Sequence, residues 1–324
     1  MPQSLVLSLE TQSAISSKHL QGHPLQQLFF RILDTIDPQL GHVLRRDKKN
    51  YAYTLSAIQP GSFPQGQAGL YALTKDHTPT QHQTQSLQYS HSHTLKAKTK
   101  CWWRITFLDD ALFEHLVFLW NQLSNEIFPL GLSSIKIERV SFKSADADWA
   151  CSCSYRDLYE QASAKERNIH LQFITPTAFD TIHGITPLPT AEAVFQSLRK
   201  HWNRYSGLVF APNLTHAIIP TRFDIQTQPV KTVRRNALQT LIGCTGEISF
   251  RIGGNGDPLT IKRINALARF TQYCSIGINT RLGMGVVKRI PNKQNTAPHQ
   301  ARYTDECNYA QSRKDKKIVW RSHS

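Results

Sequence analysis

SIGINTRLGMGVV, residues 275–287, is a glycine-punctuated turn that follows an amphipathic helical pattern and runs into a short apolar stretch of strand character. Before it, Ile261, Ile264, Leu267 and Ala268 keep helical spacing. Working outward, Ile169, Leu171 and Phe173 alternate as in a strand. Thr190 stands where it can cap a helix carrying Val194, Phe195, Leu198 and Trp202, and residues 230–237 and 246–252 supply two more strands. A last strand over 286–290 completes the order βαββαβ. The turn itself offers backbone N–H groups and Arg281 on a loop poor in side chains, which suits close approach to an RNA backbone. The plainer alternative is a left-handed helix stop.

The first half repeats the plan. Residues 4–9 read as a strand, and Leu25, Leu28, Phe29, Ile32, Leu33 and Ile36 follow helical spacing between Pro24 in the first turn and Pro38 as the stop. A polar, basic connection over 41–50 leads to a strand at 51–58, a turn at 61–69 and a short strand at 70–74. Residues 76–93, with four histidines and no apolar period, read as a solvated loop in preference to a metal site. Cys101, Trp103, Ile105 and Phe107 alternate in a strand, Leu112, Phe113, Leu116, Leu119, Trp120 and Leu123 share a helix face, and 134–142 is a further strand. The expected architecture is therefore α+β, two tandem ferredoxin-like (RRM-like, βαββαβ) domains. The first spans 1–143, a small-residue linker 144–166, the second 167–290, and a basic, disordered tail 291–324.

The chain has 324 residues, enough for two cores, with a formal net charge of +15 and a pI near 9.7. Such a balance calls for a polyanionic partner, with RNA, DNA and an anionic membrane surface all open on charge alone. No apolar run reaches the roughly 20 residues that span a bilayer, and the N-terminus lacks a basic region followed by an apolar core, so a cytoplasmic protein without membrane association is expected. Six cysteines in a chain this long do not suggest a disulfide framework. The pair Cys151 and Cys153 has no second pair at zinc spacing, so neither metal nor other cofactor is expected.

The glycine spacing through Gly277, Gly283 and Gly285 resembles the C-terminal glycine-rich loop of the repeat-associated RNA-binding (RAMP) superfamily of CRISPR systems, with Ser275 where the pattern has its first glycine. Together with WWRITFLDDALFEHL (102–116), GCTGEISFRI (243–252) and NALARFTQYCSIGINTRLGMG (265–285), it looks like the CRISPR repeat-RNA processing endoribonucleases, the Cas-six family. The resemblance implies CRISPR repeat RNA, the precursor crRNA, as substrate. It also implies metal-independent cleavage to a 2′,3′-cyclic phosphate and a 5′-hydroxyl, with other CRISPR effector subunits as further candidate partners and a monomer or homodimer as the assembly.

In many members a histidine between the first helix and second strand is general acid or base, and His42 in GHVLRRDKKNYAYTLS occupies the matching place. Imidazole, with an ordinary pKa near 6.5, suits removal of a 2′-hydroxyl proton or delivery of one to the leaving oxygen. A solvated loop histidine is the plainer reading of His42, and His19 and His23 compete for the role. Phosphorane charge needs fixed cations: Arg45, Arg46, Lys48 and Lys49 lie in the same connection, with Lys48 the best match by spacing and Arg45 beside it. Many relatives add a tyrosine from the first helix. Here that stretch reads LFFRIL, leaving Tyr51, Tyr53 or Arg31 as substitutes. RNA contacts are expected from Arg46, Lys49, Lys231, Arg234, Arg235, Gly277, Arg281, Gly283 and Gly285. Arg199, Lys200 and Arg204 read equally well as a solvated helix face. Two rivals stand beside an endoribonuclease: a non-catalytic RNA-binding subunit of a CRISPR complex, and a general basic RNA-binding protein.

Overall fold

In the computed structural model, the alternation around SLVLSLE forms β1 (Gln3–Thr11), which buries Leu5, Leu7 and Leu9 on one face. The structure describes residues 1–46, 52–61, 94–109, 120, 122–143, 147, 149–234, 237–254 and 257–290. Helix α1 (His23–Ile36) starts at Gly22, whose φ of +73° suits glycine, has Pro24 in its first turn, and buries Leu25, Leu28, Phe29, Ile32 and Leu33 against β1 and its neighbours. Pro38 does not end the helical region. Asp37 accepts the N–H groups of Gln39 (2.9 Å) and Leu40 (3.0 Å) and so caps a second helix, α2 (Pro38–Arg46). Part of the stretch read as a polar connection is thus helical. Asp37 before a proline at the first helical position was the signal for it.

Strands β2 (Tyr53–Leu55), β3 (Gln59–Pro60), β4 (Lys100–Phe107), β5 (Ile127–Leu130), β6 (Ser133–Ser141) and β7 (Cys151–Ser152) complete the first sheet. Its order is β2-β4-β1-β6-β5, antiparallel throughout, with β3 beside β4 and β7 beside β1. Counting the main strands β1, β2, β4 and β6 as one to four, the spatial order is 2-3-1-4, the ferredoxin-like arrangement. The strand expected at 70–74, the histidine-bearing stretch and most of the helix around Leu116 lie outside the described residues. Trp120 and Leu123 are buried in the first core, as their spacing predicts.

The second sheet repeats the order. After α3 (Tyr155–Glu160) come β8 (Asn168–Thr177), a small hairpin of β9 (Phe179–Thr181) and β10 (Gly184–Thr186), α4 (Ala191–Tyr205), β11 (Ile218–Arg234), β12 (Ala237–Ile252), α5 (Pro258–Phe270) and β13 (Val287–Ile290). The sheet runs β11-β12-β8-β13, again 2-3-1-4. Thr190 caps α4 by accepting the N–H of Ala193 at 3.1 Å, and Val194, Phe195, Leu198 and Trp202 are buried beneath it. The chain therefore carries two tandem ferredoxin-like folds.

Two expectations need correction. The stretch read as a linker is packed: β7 pairs with β1, Ser154 caps α3, and Tyr155 and Leu158 enter the second core. Ala147, Trp149 and Ala150 close over Val6 and Val286 from the two halves of the chain. Here the apolar side chains outweigh the small-residue composition. Strands β11 and β12 are 17 and 16 residues long, far beyond the stretches read as strands. Pro220 and Pro229 with the polar run between them hid the rest, but β11 is an edge strand, where proline and polar side chains are tolerated.

Where β1 and β4 run side by side, the first sheet is buried on both faces. Opposite its helix side, Ser4, Val6, Arg104 and Thr106 are at most 2% exposed. Arg104 lies over the Trp149 ring, 4.6 Å from its centroid, donates from Nε to Ser4 Oγ at 2.9 Å and from Nη2 to the Gln272 carbonyl. Burial pushes its pKa down to about 10, so it enters the interface as a cation near neutral pH. No helix among the described residues is long and apolar enough to cross a membrane.

Candidate functional site

The glycine turn lies between the two folds, and its backbone is largely committed there. Gly277 N–H donates to Ser197 Oγ (2.9 Å), Ile278 N–H to the Ala178 carbonyl (2.9 Å) and Gly285 N–H to the Pro176 carbonyl (3.1 Å), all in the second fold. Toward the first fold, the Thr280 carbonyl accepts from Leu55 N–H (2.9 Å) and the Leu282 carbonyl from Gly22 N–H at the head of α1 (2.8 Å). Gly283 forms a parallel bridge with Ser56. Gly277, Gly283 and Gly285 have φ of +84°, +96° and +80°, and a Cβ on Gly277 or Gly285 would come within 2.3 Å of Ala178 O or 2.0 Å of Ile276 O. The glycines therefore serve backbone packing inside the protein. The N–H groups of Gly277 and Gly285 are not presented outward, contrary to the sequence reading. Arg281 is half-buried on this clasp.

His42 lies on α2. Gly41 and Leu44 of that helix are buried, while His42, Val43, Arg45 and Arg46 are exposed. His42 and Arg46 are one turn apart, on the same exposed side. Arg45 turns to α1: Nη1 donates to Asp34 Oδ1 at 2.7 Å, Nη2 reaches Asp34 Oδ2, and the guanidinium lies 4.6 Å from the Phe30 ring centroid. Asp34 raises the Arg45 pKa and Arg45 holds the Asp34 carboxyl below its ordinary range. Arg45 is thus committed to fixing α2 on α1, and its catalytic assignment gives way to a structural one. Gly41 leaves the space for this pair, since a Cβ there would lie 2.5 Å from Asp34 Oδ1. Asp34 lies on α1 and Arg45 on α2, so the pair forms across the helix break at Asp37 and Pro38, and no spacing within one helix announces it.

The third group is on the long hairpin. Strand β12 pairs with β8 only as far as Cys244 opposite Thr177, whereas β11 and β12 stay paired to Arg234 opposite Ala237. Seven residue pairs, roughly 23 Å at about 3.3 Å each, therefore continue as a two-stranded ribbon. Lys231 is exposed on it. Arg234 contributes its backbone pairing, and its side chain, like all of Lys48, Lys49, Tyr51 and Arg235, lies outside the described residues.

The competing candidates fall away in part. His19 packs its ring against Gly131, leaves Nδ1 buried and unpaired, and has its pKa lowered by burial and by Lys18. His23 is exposed at the first position of α1. Tyr53 is 1% exposed, stacked on Phe29, with its hydroxyl accepting from Gln26 Nε2 at 3.1 Å, so it is core. Arg31 donates to the Pro129 carbonyl at 3.1 Å, and Arg199 to Gln196 and the Phe210 carbonyl. Among the described residues no group of three or more His, Cys, Asp or Glu is placed to hold a metal ion.

Two family models match this chain in succession: the CRISPR Cas6 N-terminal domain over residues 1–160 and CRISPR-associated endoribonuclease Cas6 over residues 171–287. The chain belongs to the Cas6 family. A Streptococcus thermophilus CRISPR-associated endoribonuclease Cas6 is 24% identical over 228 residues, which is 67% of this chain and 86% of that protein. Among solved structures, a Cas6 product complex superposes with a TM-score of 0.67 at 23% identity, covering 90% of this chain and all of the other. Thermus thermophilus Cas6 gives 0.62 at 21% identity, covering 90% and 98%. These likenesses carry the Cas6 fold across both halves.

Proposed function

We propose that this chain binds CRISPR repeat RNA and cuts the precursor once per repeat by attack of a ribose 2′-hydroxyl on the adjacent phosphate, without a metal ion. The O2′–P bond forms and the P–O5′ bond breaks. His42 takes the 2′-hydroxyl proton, and the 5′-oxygen leaves with a proton, giving a 2′,3′-cyclic phosphate and a 5′-hydroxyl. Lys48, matched by spacing, and Arg46, one turn from His42, supply positive charge to the phosphorane. Lys231, Arg234 and Arg235 on the ribbon hold the backbone, and Arg281 does so at the clasp. The observation that carries the reading is the place of His42: exposed on a helix that Asp34 and Arg45 lock to α1, in a chain matched along both halves by Cas6 models.

The test is single-turnover cleavage of end-labelled repeat RNA. His42→Ala is expected to abolish cleavage while leaving RNA binding intact, and EDTA to leave the wild-type rate unchanged. Wild-type rates with His42→Ala would reject the base, and loss in EDTA restored by a divalent ion would reject the metal-free course. One observation favours a second reading, a non-catalytic RNA-binding subunit: Tyr53 is buried and no described tyrosine stands on α1. A retarded but uncut RNA with the wild-type protein is the outcome that reading requires.

A further inference from the structure

The ribbon leaves the second sheet where β12 loses β8 as a partner, and an isolated two-stranded ribbon has little stability of its own. Its direction must be fixed at the root. There a small apolar cluster forms, separate from the main cores: Ala178, Val230 and Met284 are buried, with Ile185 and Ile278 packed against them. Val230 belongs to the ribbon, Ala178 to the turn after β8, and Met284 to the clasp. Met284 is flanked by two left-handed glycines that tie its backbone in opposite directions. Gly283 bridges to Ser56 of the first fold, and Gly285 bonds to Pro176 and Ile276 of the second. Next along the chain, the Leu282 carbonyl holds the head of α1. Met284 is therefore the clasp side chain that meets the root of the ribbon, on a backbone that its neighbours tie to the first fold and to the second sheet.

We infer that Met284 is a positioning residue: it sets the direction of the ribbon relative to α1 and α2, so that RNA held at Lys231 brings its scissile bond to His42. The inference rests on the function proposed above. A flexible, unbranched thioether suits a gap bounded by three separate segments. Its truncation would leave the ribbon paired and Lys231 in place, while removing what aims them.

Three proteins, wild type, Met284→Ala and Met284→Leu, are compared in single-turnover cleavage and in RNA affinity. Met284→Ala is expected to lower the rate constant at saturating protein by about tenfold or more while Kd changes by less than about threefold, since small misplacements of reacting groups are costly. Met284→Leu, close in volume, should stay within about threefold of wild type. A wild-type rate constant in Met284→Ala, or a loss confined to Kd, overturns the inference. Met1 is the one other methionine, so protein labelled at the methionine methyl carbon gives a single internal resonance. Saturation with repeat RNA carrying a 2′-deoxy at the cut should shift the Met284 signal, and Lys231→Ala should diminish that shift; an unmoved signal overturns the inference even if Met284→Ala does not fold. Failure of the wild-type protein to cut RNA would instead reject the catalytic reading, and is told apart by that arm.

Discussion

Ser275 Oγ donates a hydrogen bond to Thr54 Oγ1 at 3.0 Å, joining positions 221 residues apart, and Thr54 Oγ1 lies 2.5 Å from Thr106 Oγ1. All three hydroxyls are buried. Ser275 stands where the family pattern carries its first glycine, and the hydroxyl gives that departure a physical reason: it continues a chain of hydroxyls from the second fold into β2 and β4. Ser275→Ala and Ser275→Gly should each cost about 1–2 kcal/mol, because Thr54 is left short of a buried partner. Urea unfolding measures this, and a double-mutant cycle with Thr54→Val should return a coupling of about 1 kcal/mol.

Gly285 and Gly254 separate backbone strain from steric conflict. Both have positive φ, +80° and +66°, but a Cβ on Gly285 meets Ile276 O at 2.0 Å while one on Gly254 meets nothing within 4 Å. Gly254→Ala should cost about 1–2 kcal/mol from conformation alone. Gly285→Ala should exceed that by several kcal/mol or fail to yield folded protein. Equal melting temperatures for the two variants would contradict the geometry of the clasp.

The pair of Asp34 and Arg45 predicts a pH signature. Arg45 depresses the Asp34 pKa, so the pair's contribution is fully present above the ordinary carboxylate value of about 3.9 and fades as pH falls through the lowered one. Carboxyl-selective NMR titration should place Asp34 below the ordinary value, and Arg45→Met should bring it back up. Both side chains are about 40% exposed, so Arg45→Met should alter global stability by less than about 1 kcal/mol. Its larger effect should be on cleavage, through loosening of α2 and His42.

The described cysteines are buried, with no disulfide among them. Burial pushes the thiols of Cys101 and Cys244 up to about 12 and raises that of Cys274 further. A thiol reagent at neutral pH should therefore leave the five described cysteines unmodified in the native protein and reach them after denaturation. Rapid modification of two or more native thiols would contradict this packing.

Local pattern carried most of the fold. The alternation in β1, β4 and β8 and the apolar stripes of α1, α4 and α5 each mark an apolar face turned to a core, and such faces leave their period in the sequence. What failed to show was of another kind. Strand β11 is an edge with exposed polar positions, and Trp149 and Tyr155 reveal their packing only through partners far along the chain. At the site, His42 could be located by its place between α1 and β2, but not that a helix carries it. Arg45 looked like a phosphate ligand because the partner that occupies it, Asp34, lies on a different helix. The glycines were read as open to RNA because the groups that fill their space, the carbonyls of Ala178 and Ile276 and the backbone of Ala57, do not show in the local pattern.

The burial of Ser4, Arg104 and Thr106 beneath residues from the far half of the chain has a consequence for biosynthesis. Their covering segment includes Gln272, Ser275 and Val286, so while the chain is being made the first sheet waits with one face, including a cation, uncovered until nearly 290 residues have been polymerised and released from the ribosome. Folding of the two halves is in this sense a single late event, and the nascent N-terminal half is the species most in need of protection from association.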